Sequence, residues 1–158
     1  MERIHNPFQS FDVSIPIEFH DDVVRFTLKD GGSTPDQSPF TRMIDIWFLA
    51  MMVAVREGLK PVSMSGMKTI KIIDGTIFSS DPWRIWLLQM VAITYIDDVS
   101  IVCEPKQIMN LASDLAVAGF PRVFDMLKQG SGDPIWNLSD AVQAMIESEL
   151  PMESFPEK

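Results

Sequence analysis

The sequence contains few of the side chains that carry out reaction chemistry. Its 158 residues include one cysteine, one tyrosine and two histidines. The lone cysteine, Cys103, cannot form an intramolecular disulfide, which is typical of proteins in a reducing compartment. It has no evident histidine partner, and the neighbouring Glu104 would raise the pKa of its thiol. We therefore expect Cys103 to be buried and inert.

Phosphate-binding loops and long apolar segments are lacking as well. The Gly31-Gly32 pair is not followed by the Lys-Ser/Thr pair of a phosphate loop, so we predict no cofactor. The apolar run over residues 46–55 is about half as long as the roughly 20 residues that a transmembrane helix needs. The first residues have neither the basic nor the apolar region of a secretion signal. We expect a cytoplasmic protein without a membrane partner.

Basic residues are outnumbered, which limits the partners that the chain can have. It carries 13 lysines and arginines against 22 aspartates and glutamates, and its formal net charge is −9. Nucleic-acid backbones and anionic lipid surfaces are bound through lysine and arginine. We therefore expect no direct binding to nucleic acid. The hydrophobic content of 46% nevertheless indicates a globular chain with a sizeable core.

Prolines and glycines mark the predicted helices. Proline is tolerated in the first turn of a helix, and glycine adopts the left-handed conformation that often ends one. The residues at predicted starts are Pro39, Pro82 and Pro105, and those at predicted ends are Gly58, Gly119 and Gly130. With the N-cap candidates Ser38 and Asp81, they predict helices over 40–57, 83–96 and 105–118. Further helices are predicted over 121–128 and 139–149.

Alternating apolar and polar residues predict short strands between and before these helices. A period of two over 11–19 and again over 24–29 predicts a β-hairpin whose turn is formed by residues 20–22. A second hairpin or a third strand is predicted over 68–78, where Asp74-Gly75 is a turn signal. The predicted fold is α+β, with short antiparallel β-hairpin elements packed on four to five helices. We expect one domain over 1–150 and a frayed acidic tail over 151–158.

The sharpest short motif is Tyr95-Ile96-Asp97-Asp98, which resembles the Tyr-x-Asp-Asp turn of reverse transcriptases. In that turn two carboxylates hold catalytic magnesium, and a further aspartate comes from a neighbouring strand. This chain is too short for the polymerase architecture and offers no evident third ligand. The pattern therefore favours the other interpretation, in which Asp97 and Asp98 end a buried helix and enter a short apolar segment.

A second acidic group, His20-Asp21-Asp22, has the residue types that bind divalent metals. A metal centre would need ligands from elsewhere, and the only other histidine in the sequence is His5. Polar residues at a hairpin tip are commonly solvated turn residues. We favour that interpretation and predict neither a catalytic residue nor a metal ligand. If the chain does bind a metal, the candidate ligands are His20, Asp21, Asp22, Asp97 and Asp98.

Tryptophan and methionine are frequent on the predicted helices. The chain has 11 methionines, which either fill irregular gaps in a core or form an adaptable binding surface. Trp47 and Met51 lie on a helix that is apolar on several faces, which is typical of a central helix or one shared with a second subunit. Trp83 and Trp86 share one face of the next helix, where they anchor either the core or a subunit interface. These four residues are our candidates for a protein interface.

The order of landmarks over about residues 39–128 resembles small accessory proteins of bacterial defence islands, such as those encoded beside DNA phosphorothioation loci. The first landmarks are Asp45-x-Trp47-Phe48-x-Ala50, the stop Gly58-Leu59-Lys60-Pro61, a strand and the helix over 83–96. The later ones are Ala112-Ser113-Asp114-Leu115-Ala116-x-Ala118-Gly119-Phe120 and Phe124-x-x-Leu127. The resemblance implies an accessory role and supplies no catalytic residues.

Three functions follow as hypotheses. The first is a non-enzymatic accessory or adaptor subunit of a bacterial defence or DNA-modification system, which acts through protein–protein contacts and forms a homo-oligomer. The second is a metal-dependent enzyme acting on nucleic acid through Asp97 and Asp98, with Asp21 or Asp22 as a further ligand. The third is a small-molecule sensor with a pocket between helices.

Overall fold

A computed structural model of the protein describes residues 5–29 and 32–148. In chain order its elements are β1 (Val13–Pro16), α1 (Ile17–Phe26), α2 (Met43–Arg56), β2 (Thr69–Ile73), a 3₁₀ helix (Gly75–Ser79), α3 (Pro82–Ile96), a second 3₁₀ helix (Val99–Cys103), α4 (Pro105–Lys128) and α5 (Pro134–Glu147). The predicted α+β class is confirmed. No helix within the two described ranges combines the length and the apolar character needed to cross a bilayer. The predicted tail lies outside these ranges.

Helix α2 lies at the centre of the hydrophobic core. Eight of its 14 residues are buried, and it packs along α4. The two helices approach most tightly at Gly119, where a Cβ atom would lie 1.8 Å from the carbonyl oxygen of Ala50. A glycine is therefore required at this point of the helix–helix contact.

The end of α2 follows the sequence prediction. Gly58 has a φ of 63°, in the left-handed region that favours glycine. Its N–H donates to the carbonyl of Val55 at 3.2 Å, and the N–H of Leu59 donates to the carbonyl of Ala54 at 2.9 Å. This pair of bonds is the Schellman arrangement, which satisfies the last carbonyls of a helix.

Helix α4 is continuous where two helices were predicted. Gly119 was expected to end one helix and Pro121 to begin another, but both lie inside α4. Gly119 is present for the close contact with Ala50. Pro121 removes the N–H that would bond to the carbonyl of Val117 and crowds that carbonyl with its ring, which is a local cost to the helix. The buried side chains on both sides of Pro121 hold the helix together across it.

The predicted N-terminal hairpin is wrong in its second half. Strand β1 is present, but the residues after Pro16 form α1 and the supposed turn over 20–22 lies inside that helix. Phe19, Val23 and Phe26 recur at helical spacing, and the Phe19 ring lies 5.3 Å from that of Phe120. The alternation of apolar and polar residues over 24–29 matches the period of a strand, so the sequence pattern favoured a strand over this helical face.

Strand β1 pairs with β2 in an antiparallel two-stranded sheet. Ile15 lies opposite Ile70, and Pro16 lies opposite Thr69. The strand predicted within 68–78 is therefore correct, but its partner is distant in the sequence. Asp74 begins a 3₁₀ helix instead of a hairpin turn, because its carboxylate accepts the N–H of Thr76 at 3.1 Å.

Two predicted helix starts are displaced. Ser38 does not cap α2, since its hydroxyl donates to the carbonyl of Arg25 at 2.7 Å and the helix begins only at Met43. Helix α5 begins at Pro134, five residues before its predicted start, directly after Asp133. The Asp133-Pro134 pair repeats the Asp-Pro signal that correctly placed α3.

Candidate interaction surface

Helix α3 is bounded by two local signals in its sequence. Asp81 precedes Pro82, whose missing N–H costs nothing in the first turn. The helix ends at Asp97, whose φ of 56° places it in the left-handed region. Its inner face buries Ile85 and Leu88 in the core, so its opposite face is turned to solvent.

The outer face of α3 is apolar, and much of it is not covered by other described residues. Trp83 is 50% exposed, Trp86 58% and Met90 63%. Ile93 continues this row one turn further and is half-buried. The hydroxyl of Thr94 is bonded to the carbonyl of Met90 at 2.9 Å, which satisfies one of the few polar groups on this side. We call Trp83, Trp86, Met90 and Ile93 the α3 apolar row.

Charged residues are almost excluded from α3. Arg84 is its only charged residue, and it is 4% exposed. Its Nε lies 3.3 Å from Asp81 Oδ2, and its Nη2 bonds to Asp45 Oδ1. Arg42 bonds to the same two carboxylates, at 2.8 Å to Asp81 and 3.2 Å to Asp45. These four residues form a self-neutralising ion-pair cluster that joins the beginnings of α2 and α3.

The ion-pair cluster also fixes one end of the apolar row. The guanidinium carbon of Arg84 lies 4.6 Å from the ring centroid of Trp83 and 4.6 Å from that of Phe48. The two rings are themselves 5.8 Å apart. Trp83 is therefore held in place although half of its surface is exposed, and an ordered side chain loses less conformational entropy when it binds.

Two of the four predicted interface residues belong to the core. Trp47 and Met51 are completely buried, so the folded chain cannot offer them to a partner. The indole N–H of Trp47 has no hydrogen-bond partner among the described residues, a cost that its packing must offset. Trp83 and Trp86 are exposed together on α3. Met90 was not among the predicted residues, although its position seven residues after Trp83 places it on the same face.

The Asp97-Asp98 pair has the local structure of a helix end. Asp97 ends α3, and Asp98 begins the 3₁₀ helix that follows. Both oxygens of Asp98 bond to Ser100, at 2.8 Å from the backbone N–H and 2.7 Å from the hydroxyl. The bonds from the Ser100 side chain and backbone lower the pKa of the Asp98 carboxyl. This arrangement caps a helix and does not form the hairpin of a polymerase motif.

The other metal candidates do not converge on one point. His20, Asp21 and Asp22 are consecutive residues of α1. His20 Nδ1 lies 3.7 Å from Asp21 Oδ1, but Asp22 does not join this pair. Asp22 pairs with Lys128 at 2.7 Å. Across 5–29 and 32–148, no three histidine, cysteine or acidic side chains are grouped as metal ligands. The expectation that Cys103 is buried is wrong, because it is exposed at the end of the second 3₁₀ helix.

An open groove of about 780 Å³ separates α5 from the end of α4. Its floor includes Asn137, whose amide nitrogen donates to the carbonyls of Leu127 at 3.1 Å and Gly132 at 3.0 Å. Arg122 at its rim is paired with Glu57 at 2.8 Å. The polar groups of a small-molecule site converge on its ligand, whereas Asn137 and Arg122 bond within the chain. The α3 apolar row is the stronger candidate site.

Comparison of the chain with family models, curated proteins and solved structures finds no significant match.

Proposed function

We propose that the chain is a non-enzymatic accessory or adaptor subunit that acts through protein–protein contacts. One observation carries this proposal: α3 presents two tryptophans and a methionine to solvent on a face without charge. Exposed apolar patches of this kind mark association sites, and tryptophan is enriched at the energetic centres of interfaces.

Covering the exposed tryptophans of α3 contributes a substantial binding free energy. Covering the exposed half of each tryptophan removes on the order of 100 Å² of largely apolar surface from water, which corresponds to about 2–3 kcal/mol per side chain. Trp83 adds to this because Arg84 and Phe48 already hold its ring. Two such anchors can form the energetic centre of a contact, and the surrounding apolar surface must supply the rest of the binding free energy, because association itself costs about 4–15 kcal/mol.

The cellular setting is proposed from the sequence resemblance. Small accessory proteins of bacterial defence islands have a similar order of landmarks, and the resembling segment includes the whole of α3. A net charge of −9 supports contact with protein over contact with nucleic acid. We therefore place the chain in a defence or DNA-modification assembly, as a subunit that does not itself hold the nucleic acid.

Matched variants test the proposal. Tagged wild-type chain, Trp86→Asp and Trp136→Asp are used to capture partners from a lysate of the native host. Trp136 is the control because it is 60% exposed, close to the 58% of Trp86, but lies on α5. We expect the wild type and Trp136→Asp to retain a protein that Trp86→Asp loses. Identical captured sets from all three chains would refute a role for the α3 face.

A further inference from the structure

We infer that the α3 apolar row binds the same row of a second copy of the chain, about a two-fold axis that crosses α3 near Leu88. This inference rests on the proposed function, since it names the partner at the face proposed there. It is carried by the spacing of the row, by its lack of charge and by its area.

The spacing of the row is symmetric along the helix. Its members follow one another by three, four and three residues, from Trp83 through Trp86 and Met90 to Ile93. This is the spacing of a helix–helix seam. It reads the same in both directions about Leu88, so two antiparallel copies present matching positions to each other.

Antiparallel pairing at this register gives favourable contacts. Trp86 faces the partner subunit's Met90, and Trp83 faces the partner subunit's Ile93. A thioether against an indole ring is a favourable contact, and the pair occurs twice in a two-fold interface. The bonded hydroxyl of Thr94 brings no unpaired donor to the seam.

The charge distribution favours a second copy over a charged partner. Each copy carries −9, so two copies repel one another at long range, and only a contact face without charge adds no further local repulsion. The α3 face is such a place, because its only charged residue, Arg84, is buried and neutralised by Asp45 and Asp81. A strongly basic or acidic partner would find no complementary charge on this face.

The area indicates a reversible dimer. The exposed parts of Trp83, Trp86 and Met90 amount to roughly 350 Å² in each copy. With the exposed half of Ile96 added, two copies cover roughly 900 Å², which is at the low end of interface sizes, where contacts are weak and transient. We expect a dissociation constant on the order of 10 µM.

Sedimentation equilibrium of the full chain between about 1 and 200 µM tests the inference. We expect a monomer–dimer equilibrium that Trp86→Asp weakens at least tenfold and that Trp136→Asp leaves unchanged. Raising NaCl from about 20 to 500 mM should strengthen the dimer, because salt screens the repulsion between two acidic chains. A wild-type monomer at 200 µM, equal dimerisation of both variants, or a dimer weakened by salt would overturn the inference.

Disulfide trapping checks the register independently of stability. In a Cys103→Ser background, chains carrying Trp86→Cys and chains carrying Met90→Cys are oxidised separately and as a mixture. The antiparallel register predicts more cross-linked dimer in the mixture than in either chain alone, and equal yields would refute that register. Far-UV circular dichroism establishes that each variant is folded. If the wild type is monomeric while Trp86→Asp still loses a captured protein, this inference fails and the proposed function stands.

Discussion

The guanidinium of Arg84 lies against the ring of Trp83, with its carbon 4.6 Å from the ring centroid. The same group is almost completely buried and is bonded to Asp45 and Asp81. One side chain thus joins α2 to α3 and orders an exposed tryptophan. The contact surface and the stability of the fold therefore depend on the same residue.

Replacing Arg84 by methionine should destabilise the chain by about 2–3 kcal/mol, because it leaves two partly buried carboxylates facing each other with Arg42 as their remaining partner. Urea denaturation followed by circular dichroism measures the loss. Arg122→Met is the control, since Arg122 forms an exposed pair with Glu57 and should cost no more than about 1 kcal/mol. Equal losses in the two variants would contradict the structural role of Arg84.

Replacing Gly119 by alanine should destabilise the chain by about 3 kcal/mol, although alanine is the better helix former. The added methyl group would lie 1.8 Å from the carbonyl oxygen of Ala50, and backbone atoms cannot give way cheaply. Thermal unfolding checks this. Gly32→Ala is the matched control, because nothing lies within 4 Å of its added carbon, and its stability should stay within about 0.5 kcal/mol of wild type.

At Asp97, glycine should be more stable than alanine by about 1 kcal/mol. The φ of 56° is easy for glycine and costly for alanine, and it marks this position as a helix cap. Thermal unfolding of Asp97→Gly and Asp97→Ala measures the difference.

Titration calorimetry of the wild type with Mg²⁺ and Mn²⁺ should show no saturable heat. Saturable binding lost in both variants would instead favour the metal-dependent enzyme.

Replacing Glu57 by glutamine should lower stability at neutral pH and have little effect in acid. The hydrogen bonds from Arg122 lower the pKa of the Glu57 carboxyl below its ordinary value. The stabilisation it gives is present above the unfolded-state pKa and is lost as the pH falls through the folded-state pKa. Melting temperatures measured between about pH 3 and 7 should therefore converge at the acid end. A difference in melting temperature between wild type and variant that stays constant with pH would show that the charge of Glu57 does not stabilise the fold.

Replacing Asp114 by asparagine should raise stability at neutral pH, in contrast to the Glu57 variant, and should have little effect in acid. Burial raises the pKa of the Asp114 carboxyl, while a bond from the Met64 N–H partly offsets the rise. The protonated form therefore favours folding, and this advantage is lost as the pH rises through the folded-state pKa. Asparagine can keep the bond to Met64 without a charge. The variant should melt above wild type at about pH 7 and close to it at about pH 3, and a lower melting point at neutral pH would refute the burial effect.

Local signals predicted those parts of the fold that depend only on neighbouring residues. Asp81-Pro82 and Gly58 placed a helix start and a helix end, because capping is a property of a few consecutive residues. Gly119 misled the prediction, because its purpose is a contact with Ala50 from another helix. The sequence pattern around α1 was ambiguous, and packing against Phe120 resolved it in favour of a helix.

Only two of the four predicted interface residues lie on the candidate site, and the reason is similar. Trp83 and Trp86 are about half exposed because they lie on the side of α3 away from buried Ile85 and Leu88, although the Trp83 ring still contacts Phe48. On α2, apolar residues occupy several faces, so the sequence alone could not show that Trp47 is enclosed. Which helix lies in the middle of a fold depends on all the others, and no local pattern records it.

The pairing of β1 with β2 has a consequence for synthesis on the ribosome. The two strands are separated in sequence by all of α1 and α2, so β1 leaves the exit tunnel before β2 has been translated. During that interval the nascent N-terminal segment has an open backbone edge and must avoid pairing elsewhere. Pro16, which has no N–H to offer, shortens the edge available for unwanted pairing.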